Sequence, residues 1–158
     1  MSEAATPTAR PLVLFVCTRN ACRSQFGEAL LRAKAGDRVE AASAGREPGE
    51  VHPLTIRALD EAGVSTAGLR SKSLAEFERD RRPKVVIAVC AAALEACPRV
   101  TAPTAEILAW PVDDPAAATG TDEERMAVFR RIRDEIARRI DAWLATTNLT
   151  KAAAGCGP

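Results

Sequence analysis

Two uninterrupted apolar runs, "PLVLFVC" (11–17) and "KVVIAVC" (84–90), constrain this chain more than any other feature. Each is short, rich in β-branched residues and free of polar alternation. Runs of that kind predict strands buried on both faces, as in a parallel sheet. Both end in a cysteine, Cys17 and Cys90. Between and after them the pattern changes to helical spacing. "SQFGEALLRAKAG" places Phe26, Leu30, Leu31 and Ala33 on one side and ends at Gly36. "RVEAASAG" reads as a weaker strand closed by Gly45, and "HPLTIRALDEAG" as a helix with Pro53 in its first turn and Gly63 as its stop. "LRSKSLAEFERDRRP" predicts a loop leading into a short helix broken at Pro83, and "AAALEAC" a helix stopped by Pro98. "AEILAWPV" is a fourth strand candidate, followed by the polar loop "DDPAAATGTDEE". The final helix is "DEERMAVFRRIRDEIARRIDAWLA", with Met126, Phe129, Ile132, Ile136, Ile140 and Trp143 in one stripe.

Alternating strands and helices imply an α/β domain: a four-stranded parallel sheet covered on both faces, hence a three-layer sandwich. A chain of 158 residues suits one such core. The expected division is a flexible leader over 1–10, a single domain over 11–146 and a flexible tail over 147–158. A net charge of +1 gives no reason to expect nucleic acid or an anionic membrane as partner. No apolar run approaches the roughly 20 residues of a membrane span, and "MSEAATPTARP" lacks the apolar core of a secretory signal. A cytoplasmic monomer is expected.

In that compartment five cysteines do not predict a static disulfide framework, and the odd count opposes complete pairing. Four residues separate Cys17 from Cys22 and six separate Cys90 from Cys97, so neither pair has the C-x-x-C spacing of many zinc sites. The single histidine, His52, is far from both in sequence. No bound metal or cofactor is expected. Reactive thiols are the better reading, and the fold says where they meet. Ligands of open α/β sheets sit outside the carboxyl ends of the strands, where both Cys17 and Cys90 fall.

The stretch from Cys17 to Ser24, "CTRNACRS", is the right length to wrap backbone N–H groups around a tetrahedral oxyanion between a strand and a helix. Arg23 can grip two oxygens of such an anion, and the helix dipole adds positive potential. The same field favours a thiolate at Cys17 and makes it a nucleophile. A buried strand-end thiol beside a solvated arginine is the bland alternative, and the strand-loop-helix setting argues against it.

"VCTRNACRSQFGEAL" resembles the active-site loop of the low-molecular-weight protein tyrosine phosphatase fold. It is most similar to the thioredoxin-coupled arsenate reductases of that fold, whose loop runs C-T-G-N-S-C-R-S-Q-M-A-E-G. The resemblance takes in "SAG" at 43–45, the strand ending in Cys90, "CP" at Cys97 and Pro98, "DDP" at 113–115 and "RRIRDEI" in the last helix. It implies that Thr18, Arg19, Asn20, Ala21, Cys22, Arg23 and Ser24 form the oxyanion loop. It implies further that Cys17, Arg23 and Asp114 act on arsenate, and that Cys17, Cys90 and Cys97 pass a disulfide along a relay. Thioredoxin is then the external reductant, and phosphate or sulfate would act as analogues of arsenate. Asp113 competes with Asp114 as the general acid; the position before Pro115 favours Asp114. Plain phosphatases of the fold need neither Cys90 nor Cys97, so a phosphatase acting on phosphotyrosine or small phosphoesters is the alternative. A seven-residue helical step between Cys90 and Cys97 spans about 10.5 Å, whereas a disulfide needs Cα atoms within about 7 Å. The segment between them is therefore expected to unwind on oxidation.

Asn20, Ser24, Glu28 and Lys72 are expected to support the loop rather than touch the substrate. Some family members place an aspartate where this chain has Lys72 and bind potassium with residues matching Asn20, Ser24 and Glu28. Lys72 is expected to put its ammonium beside Glu28 instead and to remove any potassium dependence. Arg19 stands where the family usually has glycine. If that position needs a positive φ, arginine there is strained; otherwise it adds a second cation over the anion mouth. Cys22 reads as structural and Cys156 as incidental.

Overall fold

The computed structural model describes residues 10–78, 83–95 and 105–147. Strands β1 (Leu12–Cys17), β2 (Glu40–Gly45), β3 (Val85–Ala88) and β4 (Glu106–Ala109) form one parallel sheet in the order β2-β1-β3-β4. The two apolar runs are neighbours at its centre, and every residue of β1 and of β3 is buried. β4 is different. As the edge strand it leaves three of its four residues exposed.

The helices follow the predicted segments with adjusted ends. α1 (Arg23–Ala35) seats on β1 and β2, and α2 (Pro53–Glu61) and α5 (Asp122–Thr146) pack with it. Met126, Phe129, Ile132, Ile136 and Ile140 of α5 are fully buried, each worth about 1.5–3 kcal/mol of transfer free energy. Trp143, at the end of the stripe, is only half-buried. α5 opens with a capping box in which Thr121 and Glu124 each bond the other's backbone N–H. α3 (Ala75–Glu78) and α4 (Ala91–Leu94) are single turns. α4 begins directly after Cys90. Cys97, Cys156 and most of the expected leader and tail lie outside the described residues. No described helix is long and apolar enough to cross a membrane.

This topology makes the site. β1 connects to β2 on one side, while β3 lies on the other side of β1. The carboxyl ends of β1 and β3 therefore flank the point where the strand order reverses, the crevice in which such sheets bind ligands. Val16 pairs with Ala88, so Cys17 and Cys90 leave the sheet at adjacent places.

Candidate active site

Cys17 ends β1 and is 2% exposed. Asn20 N donates to its Sγ at 3.2 Å, and Ser24 Oγ lies 2.8 Å away. Ser24 Oγ also accepts from Asn20 Nδ2 at 2.7 Å, which leaves the hydroxyl proton for the sulfur. Two donors thus converge on Sγ, an arrangement that stabilises negative charge there.

The loop is shaped by what holds its carbonyls. Thr18 O accepts from Glu47 N (2.8 Å), and Arg19 O from Gly49 N (3.1 Å) and Ser71 Oγ (3.0 Å). Asn20 O accepts from Gln25 Nε2 (2.9 Å), and Ala21 O from His52 N (3.0 Å) and Thr55 Oγ1 (3.1 Å). Four successive carbonyls are pinned outward, which turns the intervening amides toward the cavity over Cys17. α1 then begins with no side-chain cap and no acidic residue in its first turn, so its positive end is unopposed. Gly45 is needed for this close packing, because a Cβ there would lie 2.8 Å from Asn20 N and from Thr18 O.

The one non-glycine residue with positive φ among those described is Asn20, at 53°. The strain considered for Arg19 is therefore carried by its neighbour. Asparagine tolerates this region and its side chain repays the cost locally, accepting from Lys72 N at 2.7 Å while donating to Ser24. Behind it Lys72 Nζ lies 3.3 Å from Glu28 Oε1 and donates to Arg70 O at 2.9 Å. Ser43 Oγ donates to Glu28 Oε1 at 2.6 Å, and Arg32 pairs with Oε2. A buried carboxylate with three partners thus backs the loop.

Cys17, Arg19, Ala21, Cys22, Arg23, Asp114 and Ala116 line a cavity of about 30 Å³. Arg23 donates through Nη1 to Val112 O at 3.1 Å and has Nη2 3.8 Å from Asp114 Oδ2. Its buried Nε has no partner among the described residues. Asp114 accepts from Ala116 N through Oδ1, which leaves Oδ2 facing Arg23. Asp113 is directed elsewhere, toward Arg131 at 3.7 Å, and does not line the cavity. Cys22 lines it too, but burial pushes its thiol up to about 12, with the Thr55 hydroxyl acting in the opposite direction. That shift favours the neutral thiol beside Cys17.

Cys90 is 8% exposed, and its Sγ lies 3.6 Å from Thr18 Oγ1. The loop residue next to Cys17 therefore touches the second thiol. Among the described residues no cluster of three or more His, Cys, Asp or Glu has the arrangement of a metal site.

A wider cavity of about 500 Å³ adjoins the small one and is lined by Thr18, Arg19, Ala21, Arg23, Glu50, His52, Asp114 and Ala116. Its His52 wall is absent from the sequence-based site. His52 caps α2, accepting from Leu54 N at 3.1 Å, and its ring lies 4.8 Å from that of Phe129. Burial, then the charge of Arg125, lowers its pKa. The sequence marks its capping position, the residue before a proline in the first turn of a helix, but not its place in the cavity wall.

The sequence model of the low molecular weight phosphotyrosine protein phosphatase family matches residues 12–154. An arsenate reductase of Halalkalibacterium halodurans is 38% identical over 137 residues, covering 87% of this chain and 97% of its own. A glutaredoxin arsenate reductase of Synechocystis sp. is 31% identical over 134 residues, covering 84% and 95%. Among solved structures, the thioredoxin-dependent arsenate reductase Cg_ArsC1' of Corynebacterium glutamicum superposes with a TM-score of 0.68 at 30% identity. That match covers 92% of this chain and 67% of the other.

Proposed function

From its membership of the low molecular weight phosphotyrosine protein phosphatase family, to which this chain belongs, we propose that it acts as an arsenate reductase with a three-cysteine relay. The observation that carries this reading is the second thiol at the loop, Cys90 Sγ 3.6 Å from Thr18 Oγ1. Phosphoester hydrolysis needs the loop, Arg23 and an acid; it has no use for that thiol.

In the proposed sequence the Cys17 thiolate attacks arsenic(V). Asp114 protonates the departing oxygen, which leaves as water, and a Cys17–S–As bond remains. The Cys90 thiolate then attacks Cys17 Sγ. A disulfide forms, the S–As electron pair passes to arsenic, and arsenic(III) leaves as arsenite. Cys97 attacks Cys90, freeing Cys17 and leaving a Cys90–Cys97 disulfide. A thioredoxin dithiol reduces that bond and is itself oxidised. A helix across all seven residues would hold these Cα atoms about 10.5 Å apart, too far for a disulfide, so the third step requires the chain from Cys90 to Cys97 to be non-helical over part of its length.

The likeness to a thioredoxin-dependent structure supports thioredoxin as reductant, and the Synechocystis relative makes glutaredoxin the alternative to test beside it. NADPH oxidation driven by arsenate is expected with thioredoxin and thioredoxin reductase, and not when glutathione and glutaredoxin replace them. Cys90→Ser and Cys97→Ser should each abolish it. Turnover indifferent to Cys90, accompanied by efficient hydrolysis of aryl phosphates, would instead assign the chain to the phosphatases.

A further inference from the structure

Arg19 is the loop residue that the proposed chemistry leaves without a task. Its backbone is fixed by the two bonds to its carbonyl, from Gly49 and Ser71. Its side chain is exposed and forms no hydrogen bond or ion pair with any described residue. The guanidinium nevertheless has a defined seat. It lies against Gly49, where a Cβ would come within 2.9 Å of Nη2, 3.3 Å of Nε and 3.5 Å of Cζ. Glycine is the residue that leaves this seat open.

Arg19 lines both cavities, which also share Ala21, Arg23, Asp114 and Ala116. It therefore stands at the rim where the small cavity over Cys17 opens into the wide one. An anion held by Arg23 and the loop amides presents its remaining ligand at that rim. In an inorganic oxyanion this ligand is an oxygen able to accept from a guanidinium. In an ester it carries an organic group, and in a phosphonate it is carbon; neither rewards desolvation of the cation.

We propose that Arg19, seated on Gly49, is a specificity-determining residue that selects inorganic tetrahedral oxyanions over their organic derivatives. This rests on the reading of the Cys17 loop as an oxyanion site and narrows its substrate class.

Phosphate and methylphosphonate test it, because both are dianions at mildly alkaline pH and differ in whether oxygen or carbon points outward. Their protection of Cys17 against iodoacetamide is followed by mass spectrometry of the Cys17 peptide, so no turnover is required. In Arg19→Ala, phosphate protection should weaken about 5-fold, the scale of one exposed charge-assisted bond, while methylphosphonate changes less than about twofold. Arg19→Lys should fall between. Gly49→Ala keeps the charge but fills its seat, and should move the phosphate value in the same direction by a smaller factor. The substitution is mild, since the atoms a Cβ would displace belong to the far end of a flexible side chain. Equal shifts for the two ligands in Arg19→Ala, or no shift in either, would overturn the proposal. Loss of arsenate-dependent turnover with the phosphate preference intact would count against the reductase reading alone.

Discussion

The two thiol-bearing regions at the crevice are built in opposite ways. Around Cys17, four consecutive carbonyls are tied to the scaffold, Asn20 is held in a left-handed conformation, and a buried Lys72–Glu28 pair stands behind. Around Cys90, the chain makes one four-residue helical turn. Its side-chain attachments include the 3.6 Å contact of Cys90 with Thr18 and a 3.4 Å bond from Arg46 Nη1 to Ala92 O, while Ala91, Ala92 and Leu94 are exposed. A step that binds and orients an anion gains from rigidity, since preset donors need no reorganisation. A step that carries a disulfide from one thiol to the next needs a segment that rearranges at low cost. The division of stiffness matches the tasks proposed for the two thiols.

Three substitutions test this contrast. Asn20→Ala attacks the stiff side most directly. It removes the acceptor for Lys72 N and the donor to Ser24, and puts a Cβ-bearing residue without side-chain bonds at a φ of 53°. A loss of about 2–4 kcal/mol is expected in urea unfolding, together with loss of phosphate protection at Cys17. Retention of both would show that the loop is not held through Asn20.

Lys72→Met comes second, with an expected cost of about 1–3 kcal/mol. Glu28 would lose its buried ammonium but keep Ser43 and Arg32. Adding Glu28→Gln should recover part of that loss, as removing the stranded charge relieves it. Exchange of sodium for potassium should leave wild-type activity unchanged, because the ammonium already neutralises Glu28; a several-fold activation by potassium would contradict that.

The smallest effect is expected from Ala92→Gly in α4, about 0.5–1 kcal/mol of local helix stability. Phosphate protection should stay at its wild-type value, while the Cys90–Cys97 disulfide, followed by acid quench and mass spectrometry, should form faster. A slower step would mean that α4 must remain helical during the relay, and the contrast between the two regions would fail.

How much of this was legible beforehand differs by region in the same way. The two apolar runs ending in Cys17 and Cys90 already implied central strands with their thiols at one edge, because full burial on both faces leaves no room for polar alternation. The loop residues could be named from "CTRNACRS", since a strand-loop-helix of that length is local in sequence. The last helix was equally readable, from apolar residues recurring every three or four positions. What the sequence did not contain were the contacts made across the fold. The position before Pro115 already favoured Asp114 over Asp113, but not the 3₁₀ turn at Pro115–Ala117 that caps on Asp114 and leaves its free oxygen toward Arg23. The exposed edge of β4 likewise follows from its place in the strand order rather than from its composition. His52 entered the cavity wall only when α2 was laid against α5 and its ring met Phe129. Arg19 and Gly49 are separated by the whole of α1 and β2, and only the return of the chain past the loop makes one the seat of the other. Sequence by itself determined what could be decided within a few residues: which segments are strands, where the thiols of Cys17 and Cys90 emerge, and which loop joins the first strand to its helix. The tertiary structure decided which polar groups face each other, because those distances depend on how distant segments pack and not on the identity of neighbours along the chain.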